Sequence, residues 1–149
     1  MQKRSSVDDA IRSSILEQVA NEGYATKLGM SLIEVNPGHA IVEMVPRNAD
    51  RNIFGTVHGG AIFSLMDEAF QISCNSYGTV AVALSVNVVY HNPAEEGSKL
   101  RAESKEIHRS KKTGTYEIKV TNDAGVLIAS CQALAYRKKE KLPFLDKNS

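Results

Sequence analysis

One segment limits what this chain can become: NIFGTVHGGAIFSLMDEAFQI, residues 52–72. From His58 onward Ala61, Leu65, Ala69 and Ile72 recur at helical spacing beside Ile62, Phe63, Met66 and Phe70. The spacing predicts a helix from His58 to about Tyr77 whose apolar surface is so wide that it has to be central. After Gly78 the pattern changes to alternation. Ala81, Ala83, Ser85, Asn87 and Val89 alternate against Val82, Leu84, Val86, Val88 and Tyr90, and Tyr116, Ile118 and Val120 repeat the pattern later. Breaks at Asn92-Pro93, Lys111 to Gly114 and Asn122-Asp123-Ala124-Gly125 divide this region into four long strands, read as an antiparallel meander.

Two further elements precede the helix. Val7, Ile11, Ile15 and Val19 recur every four positions, with Asp8 and Asp9 after a Ser cap and Gly23 near the end, which predicts an amphipathic N-terminal helix of about four turns. Residues 30–35 and 40–46 form a β-hairpin around Asn36-Pro37-Gly38-His39. A sheet with one apolar face must cover it, and the helix starting at His58 is the only element apolar enough to do so. The expected class is therefore α+β, a curved antiparallel sheet around one long helix. At 149 residues, without repeat or linker, residues 1–149 form one domain, and 139–149 are expected as a flexible tail.

Composition excludes more than it assigns. A formal net charge of +1 gives no reason to expect nucleic acid or a membrane surface as partner. No apolar run approaches the ~20 residues that cross a bilayer, and acidic and polar residues near the N-terminus interrupt any signal-peptide core. A cytoplasmic address is expected, with Cys74 and Cys131, both in apolar runs, as buried free thiols. His39, His58, His91 and His108 are scattered without ligand spacing, so no metal site is expected. Ser64 and Cys74 lack the context of an activated nucleophile.

Chemistry concentrates at the start of the long helix. Gly59 and Gly60 could do no more than permit a tight turn, with His58 a cap neighbour and Asp67 directed to solvent. Equally, glycines at a helix N-terminus bare unpaired N–H groups backed by the helix dipole, which suits a carbonyl becoming an oxyanion. Asp67, flanked by apolar neighbours, could act as general base or nucleophile, and Asn52 offers an amide donor near the same mouth. Eight residues separate Gly59 from Asp67, about 12 Å along one helix axis. If both serve one site, they can do so only when two such helices pack antiparallel about a two-fold axis.

The stretch NIFGTVHGGAIFSLMDEAFQISCNSYG resembles the signature of hotdog-fold acyl-CoA thioesterases of the PaaI-like group, in which an Asn precedes HGG and an Asp follows nine residues after the His. The resemblance extends to VVYHNPA and KKTGTYEIKV. It implies a six-stranded sheet wrapped around the helix, homodimers with a continuous sheet, often paired into tetramers, and hydrolysis of acyl-CoA without a separate cofactor, coenzyme A being part of the substrate. By the same resemblance Asp67 is the catalytic carboxylate, the Gly59 N–H polarises the thioester carbonyl, His58 orders the helix mouth and Asn52 helps place the carbonyl or water. Some relatives carry a Ser or Thr early in the following strand. Ala83 stands there in this chain, with Ser85 two residues later on the same expected face. Gly60, Phe63 and Phe70 are expected near the substrate. Arg109, Lys111, Lys112 and Gly114 of HRSKKTG could meet the phosphates and pantetheine arm, or simply form a solvated basic turn.

Two rival functions stay in view. An acyl-thioester dehydratase would need a His-containing, proline-rich loop before the helix, which RNADRNIFGTVHGG lacks. A non-catalytic acyl-CoA-binding protein is the alternative. Such regulators usually carry a DNA-binding domain, for which the N-terminal helix is too short.

Overall fold

The computed structural model describes residues 8–145. Helix α1 (Asp9–Ala20) and a short helix α2 (Gly23–Lys27) precede strands β1 (Ser31–Asn36) and β2 (His39–Met44). Helix α3 (Gly59–Asn75) is followed by β3 (Thr79–Tyr90), β4 (Leu100–Arg109), β5 (Thr113–Asn122) and β6 (Leu127–Lys141). The expected six-stranded antiparallel sheet around a long helix is present, with an N-terminal helix outside it.

Three details at the chain ends differ from expectation. Asp8 itself caps α1, its carboxylate accepting from the Ala10 N–H at 2.9 Å, whereas the expected Ser cap lies outside the described residues. Gly23 begins α2 instead of closing α1. At the other end β6 runs to Lys141, Leu142 is 3% exposed and Phe144 and Leu145 pack on the core. The flexible tail expected from residue 139 is therefore packed structure as far as residue 145, anchored by the Leu142 N–H donating to the Gly78 carbonyl at 3.0 Å.

The strand order is β1-β2-β4-β5-β6-β3. Only β4, β5 and β6 form the expected meander, and β3 crosses to the far edge to pair with β6. Local patterning could not show this, because alternation identifies a strand but not its neighbour. Both tight turns read from the sequence are present. Gly38 at φ +67° turns the β1–β2 hairpin, and Gly125 at φ +78° closes β5–β6, where the Asn122 side chain accepts from the Ala124 and Val126 N–H groups.

β3 also breaks its own alternation. Ala83 lies opposite Ala135 but Ser85 lies opposite Leu134, so Leu84 is one residue too many for the ladder. The bulge reverses the phase of the strand. Ala83 shares the inner face of the sheet with buried Ala133 and Ala135, and Ser85 turns to the outer face. The expectation that Ser85 lies on the same face as Ala83 is thereby corrected.

Helix α3 buries Leu65, Met66, Ala69, Phe70 and Ile72 against the sheet. Phe70 is 2% exposed and meets the Tyr116 ring edge-on, centroids 5.4 Å apart. In the single chain it is thus a core residue, its side chain directed into the sheet. Two buried hydroxyls are matched: that of Ser73 donates to the Phe70 carbonyl at 3.0 Å and lies 2.7 Å from that of Ser104. Phe70→Ala is expected to cost about 3–5 kcal/mol of stability through the cavity it leaves, measurable as a lowered midpoint in urea unfolding.

Candidate active site

The mouth of α3 is built by a loop that hydrogen-bonds itself into shape. Asn52 accepts from the Phe54 and Thr56 N–H groups at 2.9 and 3.2 Å and donates to the Thr56 hydroxyl at 3.0 Å. Its carboxamide oxygen is thus fully used, leaving one amide hydrogen to offer outward. Buried Asp50 holds the loop's base. Desolvation works against its charge, but hydrogen bonds from the Arg47 side chain and N–H outweigh it and keep its carboxyl below the usual range. The Asp50 carbonyl in turn accepts from the His58 N–H at 2.7 Å.

His58 caps the helix. Its Nδ1 accepts from the Gly60 N–H at 2.8 Å, so a neutral ring carries its proton on Nε2. The missing side chain of Gly60 gives the imidazole room, since a Cβ there would crowd Nδ1 at 3.0 Å. With Gly60 occupied by the imidazole and the Ala61 N–H by the His58 carbonyl, the Gly59 N–H is the donor left without a partner among the described residues. Tyr90, not singled out from the sequence, closes the mouth: its hydroxyl donates to the Gly59 carbonyl at 3.0 Å, and its ring lies where a Gly59 Cβ would meet Cζ at 3.4 Å. Asn52, Gly59 and Tyr90 line one cavity of about 350 Å³ together with Ile62 and Asn92.

Asp67 is elsewhere. It lies on the stripe of α3 turned from the sheet, which also carries Gly60, partly exposed Phe63, Ser64 and Gln71. Asp67 makes no hydrogen bond or ion pair among the described residues, and partial burial followed by the negative charge of Glu22 raises its pKa. The N-terminal helices lie beside this stripe. The Tyr24 hydroxyl is 2.7 Å from that of Ser64, and Gln71 donates to Glu22 at 3.2 Å. Next to Asp67 sits Glu68, 5% exposed, its Oε1 without a partner and its pKa pushed up to about 8, first by burial and then by Glu22 and Asp67. The sequence held a signal for it: Ala61, Leu65, Glu68 and Ile72 share one helical phase, which places an acid on a buried flank. From Glu22 and Gln71 a cavity of about 600 Å³ opens between α1, α3 and β3, lined by Ile15, Val19, Ile72 and Ala81 among others.

The basic turn is a third location. Arg109 stacks its guanidinium 3.7 Å from the Tyr77 ring centroid and pairs with Glu106 at 3.8 Å. Lys111 and Lys112 make no ion pair among the described residues and line a cavity of about 460 Å³ with Arg137, Lys138 and Lys139. Gly114 is buried, and a Cβ there would meet Tyr116 Cε2 at 3.0 Å. Its missing side chain gives that ring room. Gly114 pairs with Ala135 and Tyr90 with Ala129 on the same strand β6. At about 3.3 Å per residue the basic turn is roughly 20 Å from the helix mouth within one protomer.

Residues 54–129 match the model of the Thioesterase superfamily. Acyl-coenzyme A thioesterase PaaI of Escherichia coli strain K12 is 33% identical over 117 residues, 78% of this chain and 84% of that protein. Acyl-coenzyme A thioesterase 13 of Homo sapiens is 27% identical over 129 residues, 84% of this chain and 92% of the relative. The solved structure of the E. coli PaaI protein from the phenylacetic acid degradation operon superimposes with a TM-score of 0.87 at 29% identity, over 91% of this chain and 99% of that one. His58→Ala is expected to cost about 1 kcal/mol of stability, and His58→Asn, which can still cap, distinctly less, as read from thermal unfolding of the two variants side by side.

Proposed function

This chain belongs to the thioesterase superfamily and is a thioester hydrolase, and from that premise we propose that it hydrolyses acyl-CoA at two equivalent sites of a homodimer. Each site takes Gly59, His58 and Asn52 from one protomer and Asp67 from its partner. The observation that carries the reading is the division of labour along α3. The free Gly59 N–H stands at the first residue of the helix, and the unpartnered carboxyl of Asp67 stands eight residues on, on the outward stripe. About 12 Å of helix separates them, so one thioester carbon meets both only if a second helix runs antiparallel beside the first.

The sheet supports the same geometry. β3 is an edge strand of 12 residues, with Val82, Leu84, Val89 and Tyr90 exposed along it. A bare edge of that length is a template for pairing with a second chain. Pairing it antiparallel with a second copy about a two-fold axis brings the Tyr90 end of one protomer beside the Ala81 end of the other. That places the partner's Lys111 and Lys112 on the same side as the Gly59 mouth, where the phosphates of coenzyme A need cations. The cavity that opens at Gln71, one helical turn beyond Asp67, and is lined by both polar and apolar side chains is open to the acyl group.

In the reaction the thioester carbonyl accepts from the Gly59 N–H, whose fixed position stabilises the charge that develops on oxygen. Asp67 removes a proton from the attacking water and returns it to the departing sulfur, or attacks the carbonyl carbon itself to form a mixed anhydride that water then hydrolyses with release of a proton to the thiolate. In either course coenzyme A leaves as the thiol and the acid is freed. Burial and the charge of Glu22 serve this step by making the Asp67 carboxylate a stronger base. No separate cofactor enters.

The deciding experiment is thiol release from a panel of aromatic and straight-chain acyl-CoAs. Asp67→Asn, still folded and dimeric, is expected to lose about a hundredfold or more. Binding without turnover by the parent, or full activity in the variant, would instead favour a non-catalytic acyl-CoA-binding protein. Subunit mixing tests the shared site: Gly59→Val and Asp67→Asn chains, each inactive alone, are expected to recover activity when refolded together, since one site of every mixed dimer then carries neither substitution.

A further inference from the structure

Glu22 and Glu68 come from opposite ends of a long loop of chain, and no catalytic role above uses Glu68. Glu68 is 5% exposed, and its Oε1 has no hydrogen-bond partner. A bare carboxylate oxygen in that setting is costly, whereas a protonated acid leaves only an unpaired carbonyl oxygen. The carboxylate of Glu22, held by Gln71 one turn along α3 from Glu68, is the negative group that acts most strongly on it. Glu22 stands at the N-cap position of α2 but makes no capping hydrogen bond. Its side chain is turned instead toward α3, where Gln71 donates to it at 3.2 Å. The charged and titratable groups around the pair are few: Asp67 and Cys74 on α3, Cys131 on β6, which senses Asp67, and Glu140 and Lys141 across the cavity that Glu22 lines. Among the described residues, no cation forms an ion pair with Glu22, Asp67 or Glu68.

We propose that Glu68 and Glu22 form an acid–carboxylate pair holding one proton between them, and that this pair is a positioning element for Asp67, placing one fixed negative charge beside the base and pinning the N-terminal helices to α3. The inference rests on the reading of Asp67 as the base. Glu68 keeps its proton and donates it to Glu22, so the surroundings of Asp67 contain a single negative charge at neutral pH. When alkali removes that proton, two unscreened carboxylates face each other and Asp67, and the N-terminal segment is driven off the helix. The raised pKa of Glu68, about 8, agrees with this arrangement.

The test is the pH dependence of kcat/KM for wild type, Glu68→Gln and Glu22→Gln, with Asp67→Asn alongside. Wild type is expected to lose activity in alkali with a midpoint near 8. Glu68→Gln, whose amide can still donate to Glu22, is expected to keep neutral activity within a few-fold and to lack that alkaline fall. Glu22→Gln is expected to shift the acid limb to lower pH, because Asp67 loses the charge that makes it basic. Infrared difference spectra give a readout independent of turnover: a protonated carboxyl band at neutral pH in wild type, absent from Glu68→Gln. Profiles and spectra of both Gln variants that superimpose on wild type, while Asp67→Asn is inactive, overturn the pair and leave the base. An active Asp67→Asn overturns the base itself, and the pair's role with it.

Discussion

The apolar flank of α3 seats itself in the concave face of the sheet through Leu65, Met66, Ala69 and Phe70, all essentially without exposure, and this burial sets the rotation of the helix about its own axis. A helix fixed in rotation has no further choice about its other side. Gly60, Ser64, Asp67 and Gln71 must face away from the sheet, one above another at helical spacing. At the same time the two residues before the helix are tied to neighbouring loops, through the bonds from the His58 N–H to the Asp50 carbonyl and from the Val57 N–H to the Ala94 carbonyl. The rigidity that chemistry needs at the Gly59 amide therefore comes from packing and loop hydrogen bonds together.

For the proposed reaction that arrangement leaves each protomer chemically incomplete. The donor that can stabilise an oxyanion, the carboxylate that can take a proton and the cations that can meet phosphate occupy three separate places, because one helix and one strand carry them at spacings too long for a single substrate. A two-fold axis at the exposed edge of β3 is the simplest operation that reunites them. The same edge left bare is a liability for aggregation, so in the proposed dimer assembly and function draw on one feature of the sheet.

Glu68 shows how a local rule is broken for a purpose. A helix that packs Leu65, Ala69 and Ile72 on its inner flank would be better served there by an apolar residue, since a buried acid is expensive to ionise. Its place next to Asp67 and against Glu22 turns the cost into control over charge in the site. Consistency between propensity, pattern and packing holds along most of α3 and fails at this residue, where failures mark chemistry more often than error.

Much of the molecule was legible from residues read in order. Periodicity identified α3 and the long strands, Gly38 and Gly125 announced their turns, and the His-Gly-Gly stretch marked the capped start of α3. All of these rest on interactions within a few residues, or on the fixed rise of a helix, and a sequence states such things directly. What it left open depends on groups far apart along the chain. The crossover of β3 to β6, the bulge at Leu84 that turns Ser85 outward and the Tyr116 ring that claims the space at Gly114 follow from how strands register against one another. The closing of the mouth by Tyr90 and the meeting of Glu22 with Glu68 follow from which surfaces happen to pack. Local bonding determined the elements and their caps, and tertiary packing alone decided which side chains share a space, because only in the folded chain do distant residues compete for the same volume and the same proton.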